Sequence, residues 1–145
     1  MATLDFSRTV AAPVETVWEV VADQRGMSEF TRFRKVELER EGDPPPNGLG
    51  AIRVLHLAGP PAREEIITFD PPHRFAYKLL SGLPVKDHVG TIELSSAGEG
   101  TRMSYVLQTT PKLPLVGFAL VAVIRNMVES IAAGIAGEAE KRAAG

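Results

Sequence analysis

The sequence predicts an α+β fold: a seven-stranded antiparallel sheet, two short helices between its first and second strands, and a long C-terminal helix. Three observations point there. From Phe33 onward apolar residues recur at every second position, the period at which side chains alternate between the faces of a strand. The breaks in that pattern are short turns rich in Pro and Gly, which join antiparallel neighbours and leave no room for parallel crossovers. After Pro114 the period becomes helical and holds almost to the C-terminus.

The elements follow in order. "TLDFSRTV" alternates Leu4, Phe6 and Val10 with polar residues, a first strand. In "AAPVETVWEVVAD" the period shifts. Pro13 suits a first helical turn, where its missing N–H would have had no partner anyway, and Val14, Val17, Trp18 and Val21 recur at helical spacing. "QRGMSEFTRF" reads as a second short helix with Met27 and Phe30 as its apolar contacts. Strands follow in "RKVELERE", with Val36 and Leu38 on one face, in "LGAIRVLHLA" and in "REEIITF". "FAYKLL" places Phe75, Tyr77 and Leu79 on one face, and "LPVKDHVGTIEL" puts His88 in phase with Gly90, Ile92 and Leu94. "TRMSYVLQTT" closes the series, Met103, Tyr105 and Leu107 alternating with Arg102, Ser104 and Gln108. The separators "GDPPPNG", "GPPA" and "DPPHR" are turns, since proline fixes φ and brings no donor to a ladder. "SGLP" and the hairpin loop "SSAGEG" complete the set.

The last helix should run from Leu115 to Arg142, about 40 Å at 1.5 Å per residue. Its apolar face collects Val116, Leu120, Val123, Ile124, Met127, Ile131 and Ile135, with Arg125 and Glu129 opposite. Gly134 sits inside that stripe and Gly137 at its edge; each costs about 1 kcal/mol against alanine, so the helix needs close approach or empty volume there. Leu115, Phe118 and Val121 lie off the stripe. They are expected to pack on the preceding loop and the short helices, the alternative being a surface for a homodimer or a membrane.

Composition narrows the function. The 145 residues fit a single domain spanning 1–145, with no repeat or composition break. A net charge of -2 gives no electrostatic reason for a nucleic-acid partner, because phosphate binding needs a concentrated basic surface. With no cysteine, disulfides, thiolate metal sites and cysteine nucleophiles are excluded. His56, His73 and His88 are scattered singly, so neither a metal site nor a cofactor is expected. The opening "MATLDFSRTVAAP" lacks a signal-peptide core, and the longest apolar run, Leu113 to Ile124, is about half a bilayer span. The expectation is a soluble, cytoplasmic protein without stable membrane insertion.

Three segments carry a family likeness. "AAPVETVWEVVAD" (Ala11 to Asp23), "FDPPHRFAY" (Phe69 to Tyr77) and "GTIELSSAGEGTRMSYVL" (Gly90 to Leu107) resemble the opening helix, the mid-sheet turn and the penultimate hairpin of one superfamily. It is the superfamily of START domains, birch-pollen allergens and polyketide cyclases, and the likeness covers essentially the whole chain. The resemblance implies the helix-grip fold, a curved sheet wrapped around the C-terminal helix. It does not assign chemistry, since that superfamily includes lipid carriers, hormone receptors, aromatic cyclases and oxygenase domains. The metal ligands of its oxygenase branch have no counterpart here.

Such a fold should enclose a cavity, because one helix cannot fill a seven-stranded concave face. The expected wall is Val36, Leu38, Ile52, Val54, Phe75, Tyr77, Leu79, Ile92, Met103, Tyr105 and Leu107, with Met127 and Ile131 as floor. His56, Tyr77, His88 and Tyr105 are the polar insertions, joined by Glu64 or Glu65, whose strand phase is ambiguous. Trp18 is read as core packing and His73, in a proline turn, as exposed. The leading function is binding of a hydrophobic or aromatic small molecule, a lipid or polyketide-like compound, contacted by His56, Tyr77, His88, Met103, Tyr105, Met127 and Ile131. The alternative is a cyclase or dehydratase in which His88 moves a proton near neutral pH, helped by a tyrosine or an inward glutamate. A third class, a protein-interaction module, rests on the Leu115, Phe118 and Val121 patch.

Overall fold

The computed structural model describes residues 1–145. Its strands are β1 (Ala2–Val10), β2 (Lys35–Arg40), β3 (Ile52–His56), β4 (Ala62–Asp70), β5 (Arg74–Ser81), β6 (Val85–Ala97) and β7 (Gly100–Pro111). Helices α1 (Val14–Ala22) and α2 (Met27–Phe30) lie between β1 and β2, and α3 (Gly117–Ala144) ends the chain. The strands form one antiparallel sheet in the order β1-β7-β6-β5-β4-β3-β2. Strands β2 to β7 are the predicted meander; β1 comes back beside β7 along its full length.

Register shifts interrupt the ladders within β2, within β4 and within β6. Each extra residue bends its strand and increases the local twist, and together they curve the sheet toward α3. The shift in β6 falls between Lys86 and Val89, where Asp87 takes a left-handed φ of 51°. That residue absorbs the odd count, so Val85 and His88, three apart, both face inward.

The core forms where the inward faces of the sheet meet α1 and α3. Pro13 caps α1, which buries Val14, Val17, Trp18, Val20 and Val21. Trp18 stands edge-on to Phe69 and Phe75, with ring centres 5.2 and 6.3 Å away, and ties α1 to the β4–β5 turn as its spacing predicts. His73 lies exposed in that turn, its Nδ1 3.1 Å from the Leu94 carbonyl oxygen.

Helix α3 departs from its predicted face. Its buried residues are Ile124, Val128, Ile131, Ala132, Ile135, Ala136 and Ala139, whereas Val116 and Val123 are exposed. Burial starts only near Leu120, so the first turn overhangs the packed core. Leu115 and Phe118 are 87% and 80% exposed and do not pack on the preceding loop; only Val121 meets the core. That exposure is what the alternative reading, a dimer or membrane surface, would require. Length and composition alone would let α3 cross a membrane, which the half-span length of its longest unbroken apolar run does not convey. Here its inner stripe is packed on the sheet, as in a core helix.

The two glycines of α3 answer the question their cost raises. A Cβ on Gly134 would lie 2.1 Å from the Phe30 carbonyl oxygen, so this residue lets the end of α2 approach α3 directly. A Cβ on Gly137 would meet nothing within 4 Å. We therefore expect Gly134→Ala to destabilise the protein by about 1–3 kcal/mol, the usual cost of overpacking. Gly137→Ala should stabilise it by up to about 1 kcal/mol through helix propensity. Urea denaturation of the two variants checks the opposite signs.

Candidate functional site

A cavity of about 330 Å³ lies between the sheet and α3. Its apolar wall includes Phe33, Leu55, Ile124, Val128 and Ile131, and Leu57, Pro60, Leu83 and Val123 form its rim. Rim residues come from the β3–β4 loop, the β5–β6 turn and the exposed start of α3. Four polar side chains enter this wall from four neighbouring strands: Arg53, Glu64, Tyr77 and His88.

Arg53 and Glu64 face each other across the β3–β4 ladder and are 3% and 5% exposed. Arg53 Nε donates to Glu64 Oε1 at 2.8 Å, and Nη2 lies 2.7 Å from the same oxygen. Nη1 donates to Gln24 Oε1 at 2.8 Å and to Met27 Sδ at 3.3 Å. The guanidinium also stacks 4.5 Å from the centre of the Tyr77 ring. Burial works to lower the Arg53 pKa, but the Glu64 carboxylate and the nearby tyrosines outweigh it and hold the group above its ordinary value, fully charged.

Tyr77 owes its position to a missing side chain. Gly90 lies opposite it on β6, and a Cβ there would fall 2.3 Å from the phenol ring, so the ring lies flat over the glycine. The Tyr77 hydroxyl then reaches Tyr105 at 2.5 Å. Burial raises both phenols, Tyr77 well above its ordinary value and Tyr105 to about 12. Neither ionises near neutral pH.

His88 is 5% exposed, and its Nδ1 pairs with Thr109 Oγ1 at 2.9 Å. Burial lowers its pKa, and the Glu64 carboxylate opposes that shift in part, so the ring is neutral at pH 7.

Of the residues expected at the cavity, Tyr77, His88, Met127 and Ile131 line it. Tyr105 sits behind Tyr77, away from the cavity wall. Met103 is fully buried in the core and does not reach the cavity. His56 is displaced outright: its Nε2 lies 2.7 Å from Glu37 Oε1, a pair largely open to solvent. The reason is the phase of β3. Arg53 points inward to Glu64 together with Ala51 and Leu55, which turns Ile52, Val54 and His56 to the outer face. Of the ambiguous pair on β4, Glu64 faces in, and Glu65 pairs outside with Arg40 and Lys78. Arg53 is the functional candidate that sequence reasoning missed; its shared phase with Ala51, Leu55 and Leu57 was the available signal.

The unfolded chain takes up its His88 proton at the ordinary value of about 6.5, and the folded chain only at lower pH. Stability contributed by neutral His88 is therefore present above that value and is lost as pH falls below it. An NMR titration should place the His88 ring midpoint below 6.5, and His88→Phe should flatten the fall in stability between pH 7 and pH 5.

Comparison with known proteins adds to this geometry. Residues 1–143 match the family model described as polyketide cyclase / dehydrase and lipid transport. No curated protein matches the chain. Among solved structures, the ZhuI aromatase/cyclase from Streptomyces sp. R1128 superposes with a TM-score of 0.80 at 25% identity, over 97% of this chain and 94% of that one. The di-domain aromatase/cyclase StfQ of the steffimycin pathway gives 0.80 at 17% identity, over 99% of this chain and 52% of its own. A norcoclaurine synthase from Thalictrum flavum gives 0.76 at 18% identity, over 97% of this chain and 95% of its own. These likenesses establish the helix-grip fold.

Proposed function

The chain belongs to the polyketide cyclase/dehydrase and lipid transport family, and from that premise we propose that it binds a hydrophobic or aromatic small molecule between the sheet and α3. The observation that carries this reading is the cavity: about 330 Å³, walled mainly by apolar side chains, with its polar groups gathered on β3 to β6. Ligand sites occupy roughly 300–1,000 Å³, apolar with a few placed polar groups, so the space suits a compact ligand of two or three rings. Met127 on the helix side supplies adaptable volume.

A second reading is favoured by one observation. His88 is neutral near pH 7, with Nδ1 taken by Thr109 and Nε2 left without a protein partner. In the tautomer whose Nδ1–H donates to Thr109 Oγ1, Nε2 carries the free lone pair that a general base needs to remove a proton from a bound substrate. The Tyr77 hydroxyl, engaged with Tyr105, is poorly placed to help; Glu64 is the better second group. ZhuI and StfQ are both described as aromatase/cyclases, and they direct the choice of substrates for assay. Turnover of an aromatic polyketide that survives undiminished in His88→Ala would remove this reading and leave binding intact.

The binding reading is tested by filling the space. Wild type should retain a molecule from an apolar extract in native mass spectrometry and should enhance the fluorescence of the neutral probe N-phenyl-1-naphthylamine. Ile131→Trp, which places an indole in the cavity, should weaken probe binding at least tenfold while the circular dichroism spectrum is kept. Equal binding by the two proteins would refute the site.

A further inference from the structure

The hydrogen-bonding positions around the cavity are unequally used. Arg53 directs most of its donors at the protein: Nε to Glu64 Oε1, with Nη2 2.7 Å from the same oxygen, and Nη1 to Gln24 Oε1 and Met27 Sδ. The Tyr77 hydroxyl is engaged by Tyr105. Glu64 differs, because both Arg53 contacts fall on Oε1 and Oε2 has none. His88 Nε2 is in the same position, since only Nδ1 has a partner. No polar side-chain atom sealed from solvent lacks a partner in this chain. Glu64 Oε2 and His88 Nε2 are therefore not sealed, and with both residues 95% buried and lining the cavity, the space these atoms meet is the cavity itself.

The charges there already cancel. Arg53 carries one positive charge and Glu64 one negative, in direct contact. Burial keeps the ring of His88 uncharged at neutral pH. A ligand carboxylate would bring a second anion against Glu64 with no free cation to meet it, at the cost of a buried unpaired charge. An ammonium would meet Glu64 but leave a net cation enclosed with Arg53. A hydroxyl avoids both costs: it brings one donor, which Glu64 Oε2 lacks, and an oxygen that can accept from His88 Nε2 in the tautomer in which the Thr109 hydroxyl donates to Nδ1.

We propose that the cavity selects an uncharged apolar ring compound bearing a hydroxyl group, such as a phenol or fused-ring alcohol, with its O–H donated to Glu64 Oε2. Glu64 is thus a specificity residue, and Arg53 acts through it by fixing the carboxylate and occupying its other oxygen. This rests on the ligand-binding reading above and goes further, because it names the functional group recognised. A hydrogen bond to a charged acceptor corresponds to roughly ten- to hundredfold in affinity, which is the discrimination expected between a hydroxyl and a hydrogen at that position.

The test is a matched series competed against N-phenyl-1-naphthylamine on wild-type protein at pH 7.5: naphthalene, 2-naphthol, 2-naphthoate and 2-naphthylmethylammonium. 2-Naphthol should bind at least tenfold more tightly than naphthalene, and 2-naphthoate should be the weakest. Naphthalene equal to 2-naphthol, or 2-naphthoate binding best, overturns the selectivity while leaving the cavity as a binding site. A protein that binds neither probe nor any member of the series overturns both. In the double variant Arg53→Met with Glu64→Leu, which leaves no buried charge alone, the preference for 2-naphthol over naphthalene should shrink to less than about threefold. Retention of the full preference there overturns the assignment to Glu64. If that variant does not fold, the wild-type order decides.

Discussion

One helix cannot cover seven strands. Adjacent strands lie about 4.8 Å apart, so six spacings make a sheet about 29 Å wide, against a helix roughly 10–12 Å across with its side chains. The bulges in β2, β4 and β6 bend the sheet around α3, and α1 with Trp18 closes part of the remaining face. What these elements leave over is the cavity. It follows from the mismatch between two kinds of surface, and it would persist through many exchanges of one apolar side chain for another.

The polar groups on the cavity wall are tolerated because nearly all are satisfied. A buried ion pair gains only if its geometry repays the removal of both charges from water. Arg53 meets that condition through Glu64, Gln24, Met27 and the Tyr77 ring, contacts drawn from β4, the helical segment and β5. The pair therefore links the helical segment to the sheet while it faces the cavity. Among the four polar side chains of the wall, the acceptor-capable atoms left with no partner at all are one carboxylate oxygen and one imidazole nitrogen, and a structural pair would gain nothing by leaving them so.

The fold was legible because its signals are local and mutually consistent. Alternation from Phe33 onward, proline turns at "GPPA" and "DPPHR", and the change of period after Pro114 each follow from backbone geometry. At the site legibility depended on phase. Tyr77 and His88 share strands with apolar partners that leave no doubt about the inner face. Strand β3 allows two apolar sets, Ile52 with Val54 or Ala51 with Leu55 and Leu57, and a lone arginine argues for the first. Only the register Arg53↔Glu64, a fact about two strands at once, reverses it. In β4 the extra residue is Ile67, so the inner face holds Glu64 and Ile66 before it and Phe69 after it, and one unbroken alternation cannot decide between Glu64 and Glu65. For α3, helical period identifies an apolar face but not where along it the sheet begins, so it places Val116 and Val123 inward although the structure exposes both.

The two sides of the cavity are built for different tasks. On the sheet side every polar group is anchored: Tyr77 by the space above Gly90, His88 by Thr109, Glu64 by Arg53. Strand positions locked by ladders and second contacts hold such groups to within fractions of an ångström, which directional hydrogen bonding needs. On the helix side the lining is Leu120, Val123, Ile124, Met127, Val128 and Ile131, with no group that must be held at an angle. Dispersion contacts tolerate small shifts, and Met127 can change rotamer to follow a ligand's outline. Recognition of a functional group thus belongs to the sheet, and accommodation of a ring system to the helix. Members of the family could keep the fold and alter either one separately, because neither side takes its geometry from the other.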